Sequence, residues 1–363
     1  MKKISELSAG PGFLVTAAAF VVVIAGIQAA ESILVPFLIA VFIAVICAPP
    51  LFWLQRKKVP AVLSMLIVVS GAIVIGLAIM TLVGTSLNDF SQALPSYQAS
   101  LQEKMSGFMG WLEGMGVDIY KEGVIKALNP GFAMKLVASL LTRLGSVLTN
   151  SFMILLTVIF ILLEASGFPN KLRAVSDKPD ASFGNFNSFI KNINRYMVIK
   201  TLTSLATGIA IAAWLIFLGV NHPLLWGLLA FLLNYVPNIG SVIAAAPAIL
   251  LALIQLGSGP ALLTGLGYAV VNIIIGSIIE PKIMGRGLGL STLVVFLSLV
   301  FWGWVLGPVG MLLSVPLTMA VKIALDSNEE TRWIAVLLGS EGSIRNVLQA
   351  EHSGTSKEKP GAE

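Results

Sequence analysis

The sequence predicts an all-α polytopic membrane protein, and three observations point to that fold class. Of the 363 residues, 56% are hydrophobic and only 11% are charged, whereas a soluble domain carries about 25% charged residues. The mean hydropathy is +0.91. Several apolar runs are long enough to cross the hydrocarbon core of a bilayer, which takes about 20 helical residues. The lipid bilayer is therefore the expected environment of most of the chain.

The N-terminal part, residues 1–87, is predicted to hold a transmembrane hairpin and a third span. Its apolar runs are 13–30, 33–54 and 61–87. Lys2 and Lys3 precede the first run, and three basic residues at 56–58 follow the second. Because basic residues collect on the cytoplasmic side of a membrane, the N-terminus is expected in the cytoplasm.

Residues 88–145 differ from their surroundings because their acidic and basic side chains balance. Leucine and aromatic side chains recur there at helical spacing, which indicates amphipathic helices. Glycine-containing breaks are expected at 114–116 and 129–131. Without a basic excess, this segment is predicted to lie outside, either as a helical subdomain or as a surface for a partner protein.

Three further parts complete the predicted organisation. Residues 146–200 hold a fourth span and a polar loop whose basic excess indicates the cytoplasm. Residues 201–326 are predicted to form the transport core. Residues 327–363 are a polar tail, which is expected in the cytoplasm with the N-terminus.

Two apolar segments of this core are interrupted by glycine and proline. The first, 224–256, is interrupted around Pro237, and the second, 292–325, around Pro308. The distribution of basic residues places both ends of the first segment outside the membrane and both ends of the second inside. This predicts two broken, re-entrant hairpins of opposite orientation, which form an inverted repeat with a site at the repeat interface. The alternative is that glycine and proline are simply common in membrane helices.

Under the inverted-repeat hypothesis, polar side chains and freed backbone groups line a cavity inside the core. The residues expected to line this substrate pathway are Asn234, Pro237, Asn238, Gly240, Asn272, Pro308 and Gly310. Amides and backbone groups suit a small, polar, mostly neutral solute. They also suit a monovalent cation if an acidic side chain balances its charge.

One charged stretch is isolated within this core. No Asp, Glu, Lys or Arg occurs in 201–279 or in 287–321, and charged residues inside a membrane usually line wet cavities or pair with each other. Glu280 is the candidate coupling group, with Lys282 or Arg286 as its partner. The alternative, slightly favoured by the stretch alone, is a cytoplasmic loop between two spans. The residues assigned to coupling or gating are Glu280, Pro281, Lys282, Gly285, Arg286 and Gly287.

Several function classes find no support in the sequence. A nucleotide-binding G-x-x-x-x-G-K-[ST] motif does not occur, and the two histidines and single cysteine, Cys47, offer no metal cluster or catalytic triad. We therefore expect no enzyme, cofactor or metal site. The net charge of +5 is explained by basic cytoplasmic loops rather than by a nucleic-acid partner.

Four motifs stand out in the second half of the chain: WGLLAF at 226–231, NYVPNIGS at 234–241, EPKIMGRGLGLS at 280–291 and VLGPVGMLLSVPL at 305–317. They resemble motifs of the autoinducer-2 exporter (AI-2E) family of bacterial inner-membrane permeases. The resemblance extends to about residue 338. It implies about eight transmembrane segments in the bacterial inner (cytoplasmic) membrane and a homo-oligomer, with a pentamer as one candidate.

The resemblance also implies a function, the export of a small furanone-like quorum-sensing signal, autoinducer-2. We therefore predict a permease for this signal, driven by an ion gradient. Because other members resemble sodium/proton antiporters, an antiporter in which Glu280 binds a monovalent cation is one alternative. A membrane scaffold acting through residues 88–145 is the other.

Overall fold

The computed structural model describes residues 9–115, 139, 151–165, 179–237, 239–284, 290–326 and 331–339. Every regular element in these ranges is a helix, which confirms the all-α prediction. The elements are α1 (Ala9–Ala29), α2 (Glu31–Arg56), α3 (Ala61–Gly114), α4 (Ser151–Ala165), α5 (Pro179–Leu218), α6 (Pro223–Leu233), α7 (Gly240–Leu256), α8 (Ser258–Val271), a π-helix (Asn272–Ile279), α9 (Glu280–Met284), α10 (Thr292–Asp326) and α11 (Arg332–Leu337).

The described part of the chain contains five helical stretches long and apolar enough to cross a membrane. They are Glu31–Arg56, Ala61–Lys104, Ile193–Leu218, Ser258–Met284 and Thr292–Asp326. The apolar helices α6 and α7 are shorter, with 11 and 17 residues. The chain is therefore a multi-pass membrane protein, while the count of eight segments and the five-part division stay predictions.

Helix α3 is longer than the span predicted from its apolar run. It continues through residue 87 without a break and ends at Gly114, the first of the glycines predicted to end a helix. Its 54 residues correspond to about 80 Å at 1.5 Å per residue. Polarity changes along α3 at residue 88, but helical hydrogen bonding does not depend on side-chain polarity, so the helix carries on.

The chain divides into two compact units, residues 1–43 with 289–363, and residues 44–288. The core of the second unit is formed by buried side chains of α3, α5, α6, α7 and α8, including Phe90, Leu215, Trp226, Ala248 and Tyr268. Helices α5 and α6 approach closely within it. A methyl group added at Gly227 would lie 2.7 Å from the Gly208 carbonyl oxygen, so small residues bring these two backbones together.

Helices α6 and α7 form a hairpin in the second unit. The chain leaves helical geometry between Leu233 and Gly240 and re-enters it at α7. The far ends of the two helices meet, because the Asn221 backbone N–H donates to Gln255 Oε1 at 3.1 Å. The predicted interruption around Pro237 is therefore the tip of a helical hairpin.

Helix α10, in the first unit, also folds back on itself. Leu306 (φ −125°, ψ 15°) and Gly307 (φ 62°, ψ −152°) are not helical. A hydrogen bond joins the two sides of this break, because Trp302 Nε1 donates to Thr318 Oγ1 at 3.0 Å although 16 residues separate the two. A straight helix would place these residues about 24 Å apart. The predicted interruption next to Pro308 is therefore also a hairpin tip.

The two tips share one construction. A methyl group added at Gly240 would overlap the Leu233 carbonyl oxygen, and one added at Gly310 would overlap the Trp302 carbonyl oxygen. In each hairpin the second arm starts with its glycine against a carbonyl at or near the end of the first arm. Only a residue without a side chain allows this approach, which explains why both interruptions contain glycine.

We expect Gly240→Ala and Gly310→Ala to lower the melting temperature of the detergent-solubilised protein, because each methyl group would push against backbone. Overpacking of this kind costs about 1–3 kcal/mol. Gly76→Ala in α3 is the matched control, since its added methyl group has no atom within 4 Å, and it should leave the melting temperature unchanged or raise it. Equal melting temperatures for all three variants would contradict this account of the tips.

Candidate functional site

Residues 200–204 of α5 carry a cluster of polar side chains where the polar first half of this helix meets its apolar second half. Lys200, Thr203 and Ser204 are all buried there, and Thr201 lies between them. From the sequence, Lys200 is expected to end the basic cytoplasmic loop within 146–200. The structure places it within the membrane-length stretch Ile193–Leu218, where a lysine needs a partner.

The partner of Lys200 is Glu280. Lys200 Nζ lies 2.7 Å from Glu280 Oε1, and their side chains are 7% and 14% exposed. Thr203 Oγ1 donates to the other carboxylate oxygen, Oε2, at 3.2 Å. Both oxygens of the carboxylate are thus engaged, as a charge in a low-dielectric interior requires.

Lys200 is not one of the two partners predicted for Glu280 from the sequence, Lys282 and Arg286. Lys282 is exposed, and helical residues two positions apart do not face each other. Gly285, Arg286 and Gly287 lie outside the described residues, so a contact of Arg286 with Glu280 stays a prediction. The sequence does contain a signal for the pairing with Lys200, because Lys200 and Glu280 are the two residues that bound the charge-free run 201–279.

The π-helix determines where Glu280 lies. The Glu280 backbone N–H donates to the carbonyl of Ile275, five residues earlier. Pro281 follows and has no N–H to donate, and in an α-helix its ring would clash with the carbonyl four residues before it. The wider π turn avoids that clash and delivers Glu280 to α5. Glu280 therefore starts a short helix with its side chain largely buried, while residues 285–289 of the stretch assigned to a cytoplasmic loop in the alternative interpretation lie outside the described residues, so that alternative stays open.

The same turn of α5 also holds the tip of the α6–α7 hairpin. Asn234 Nδ2 donates to Ser204 Oγ at 3.0 Å. Tyr235 Oη donates to Thr201 Oγ1 at 2.8 Å, and that hydroxyl in turn donates to a carbonyl of its own helix. Two predicted site residues, Asn234 and Glu280, therefore contact the same five-residue stretch of α5, residues 200–204.

The remaining predicted site residues lie in three places. Pro237 and Gly240 lie at the tip of the α6–α7 hairpin, next to Asn238, which is outside the described residues. Asn272 starts the π-helix and is half-buried. Pro308 and Gly310 lie at the tip in α10, which belongs to the other unit. The assignment of these residues to a substrate pathway stays a prediction.

The chemistry of the cluster is that of an exchangeable ion pair. A carboxylate bound by an ammonium group and a hydroxyl carries no net charge with its partner, so the pair is tolerated in the membrane. A proton or cation that takes the carboxylate must displace Lys200. Within the described ranges, no three His, Cys, Asp or Glu side chains come together as a metal site.

Comparison with known proteins identifies the family. The family model described as AI-2E family transporter matches residues 17–329. The chain belongs to the AI-2E family. Within the AI-2E family, the AI-2 transport protein TqsA of Escherichia coli is 43% identical over 318 residues, which are 88% of this chain and 92% of that protein.

Two further AI-2E relatives are named only as candidate transport proteins. One, from Haemophilus influenzae, is 39% identical over 89% of this chain and 94% of its own length. The other, YhhT of Escherichia coli, is 36% identical over 91% of this chain and 95% of its own length. The family resemblance seen in the motifs is confirmed, and so is the expectation of a transporter rather than an enzyme.

We expect Lys200→Met and Glu280→Gln each to lower the melting temperature clearly, because each leaves one buried charge unpaired, at a cost of about 3–5 kcal/mol. The double variant should lose less than the sum of the two single losses, since no unpaired charge remains. The measurement is thermal unfolding in detergent, with Lys282→Met as the exposed control. Additive losses would show that the two side chains do not depend on each other.

Proposed function

We propose that the chain exports a small polar quorum-sensing signal, autoinducer-2, across the bacterial inner membrane, driven by an ion gradient. The similarity to TqsA supports this cargo. The geometry supports ion coupling through one observation in particular. A single turn of α5 binds both the Glu280 carboxylate and the tip of the α6–α7 hairpin.

The proposed coupling step takes place at Glu280. When a proton or cation takes the carboxylate, Lys200 loses its partner, and the buried ammonium group favours a different position of the α5 turn. Ser204 and Thr201 on that turn bind Asn234 and Tyr235, so the shift reaches the hairpin tip. Ion binding thereby changes the position of the element that borders the predicted pathway.

The proposed topology has about eight membrane segments, two of them re-entrant hairpins. Helix α6 has 11 residues, or about 16 Å, too short for the roughly 30 Å of hydrocarbon. The α6–α7 hairpin therefore enters and leaves on one side. With both termini in the cytoplasm, the two hairpins enter from opposite sides. We further propose that the chain assembles as a homo-oligomer.

A monovalent cation/proton antiporter is the second candidate function. The observation that favours it is the oxygen environment of Glu280, where a carboxylate and the Thr203 hydroxyl come together, because such oxygens are ligands for hard cations. The scaffold hypothesis gains less support. Phe90, Tyr97 and Leu101 in the outer part of α3 are buried in the core of the second unit and are not available to a partner.

We expect purified protein in liposomes to move labelled autoinducer-2 when an ion gradient is imposed. Glu280→Gln should abolish the dependence of this flux on the gradient, because an amide binds neither a proton nor Lys200 in the same way. Signal flux and internal pH are followed together, with and without a sodium gradient. Glu103→Gln, an exposed carboxylate on α3, is the control and should behave as the unchanged chain does.

The two candidate functions give different results in this experiment. Signal flux that persists without sodium supports export. A pH change driven by sodium, without any signal flux, makes the protein an antiporter and overturns the proposed cargo. If the flux in Glu280→Gln depends on the ion gradient as it does in the unchanged chain, Glu280 does not take part in coupling.

A further inference from the structure

Two buried hydroxyl groups of α8 have no hydrogen-bond partner in the described structure. They belong to Thr264, which is fully buried, and Tyr268, which is 5% exposed. The residues are four positions apart, so both lie on the same face of the helix. Ser314 Oγ in the other unit is the third such group among the described side chains.

Other hydroxyl groups of the chain behave differently. Thr81, Thr157 and Thr207 each donate to the carbonyl oxygen four residues earlier in their own helix, at 2.8–2.9 Å. Tyr97 accepts a hydrogen bond from Gln255 at 3.3 Å. Thr264 thus lacks the bond to its own helix that threonines readily make, and Tyr268 lacks the side-chain partner that Tyr97 has.

Helix α8 belongs to a core made mainly of apolar side chains. The buried residues of α8 are Ala261, Thr264, Gly267 and Tyr268, and α8 packs against both α7 and α5. The face that α7 buries is built mainly of small and aliphatic residues: Gly240, Ala244, Ala245, Pro247, Ala248, Leu251, Ala252 and Ile254. Leaving a hydroxyl unbonded in such a place loses its hydration without compensation.

We propose that Thr264 and Tyr268 form an occluded binding site for the hydroxyl or carbonyl groups of an uncharged polar solute. Each hydroxyl both donates and accepts a hydrogen bond, so the pair binds neutral oxygen groups of either kind. The inference rests on the proposed transport function, because the solute is the exported cargo. Charged solutes are disfavoured, since 201–279 contains no formal charge to balance them.

Because both side chains are buried and α8 packs against α7 and α5, a solute reaches this site only if α8 moves away from a neighbouring helix. Gly257 joins the two helices with φ 95° and ψ −171°, a conformation that favours glycine, and an added methyl group there would meet no atom within 4 Å. Helix α8 continues through the π-helix into Glu280. Ion exchange at Glu280 and movement of α8 are therefore linked through one continuous helical segment.

The first test removes the hydroxyls without changing side-chain shape, in the double variant Thr264→Val/Tyr268→Phe. Its melting temperature should equal or exceed that of the unchanged chain, since two unsatisfied groups are lost. In liposomes, the apparent KM for autoinducer-2 should rise about tenfold or more, because the cargo loses two hydrogen bonds. Thr207→Val is the matched control, and an unchanged KM in the double variant would overturn the proposal.

The second test does not depend on the identity of the cargo. Cys47 is the only cysteine, so Cys47→Ser gives a background in which Thr264→Cys is compared with Ala252→Cys, an equally buried position. A small, water-soluble methanethiosulfonate should modify Thr264→Cys about tenfold faster or more, because only a hydrated site lets the thiol ionise. Equal rates would overturn the site even if autoinducer-2 is transported. If Thr264→Cys is modified faster than Ala252→Cys but the unchanged chain does not transport autoinducer-2, the site is supported and autoinducer-2 is excluded as its cargo.

Discussion

The ion pair between Lys200 and Glu280 is the constraint on which the arrangement of the second unit depends. A single charge at the centre of a membrane costs about 2.5–3.5 kcal/mol, so neither side chain is stable there alone. The two residues are 80 positions apart, and pairing them fixes α5 against the start of α9. The chain between the two residues, which contains the α6–α7 hairpin and α8, therefore forms a loop whose two ends are joined by the ion pair. The same part of α5 also binds the hairpin tip within that loop, so one contact region holds the two ends of the loop and its hairpin together.

The sequence allowed the interruptions to be located but not the contacts that stabilise them. Glycine and proline act on the backbone directly, so the tips near Pro237 and Pro308 were predictable from residue type. Lys200 was assigned to a cytoplasmic loop because a basic residue beside an apolar run usually marks its end. Its burial depends on an acid 80 residues away, which no local pattern reveals. The continuation of α3 past residue 87 was missed for a similar reason, since polarity reports the surroundings of a helix rather than its hydrogen bonds.

The two hairpins solve one physical problem in the same way. A chain that leaves helical geometry inside a membrane exposes backbone groups, which are tolerated only where protein or water shelters them. At each tip a glycine lets the second arm approach a carbonyl of the first, Leu233 in one case and Trp302 in the other. Both hairpins are also closed by a hydrogen bond between their arms, from Asn221 to Gln255 and from Trp302 to Thr318. This shared construction supports the predicted internal repeat.

The polar groups of the described core are of two kinds. Those that already have protein partners are assigned to the proposed coupling step, and those without partners are assigned to the proposed binding of the cargo. Asn234 and Glu280 already have protein partners, so a solute gains little from them unless an existing bond breaks first. In the proposed coupling step, they hold α5, the tip and α9 together until an ion competes for the carboxylate. Thr264 and Tyr268 have no such partners, so a neutral solute gains hydrogen bonds there without displacing any. A core that is otherwise packed closely enough to exclude a methyl group at Gly227 leaves these hydroxyls unsatisfied, and the resulting loss of stability is the mark of a site adapted to bind something else.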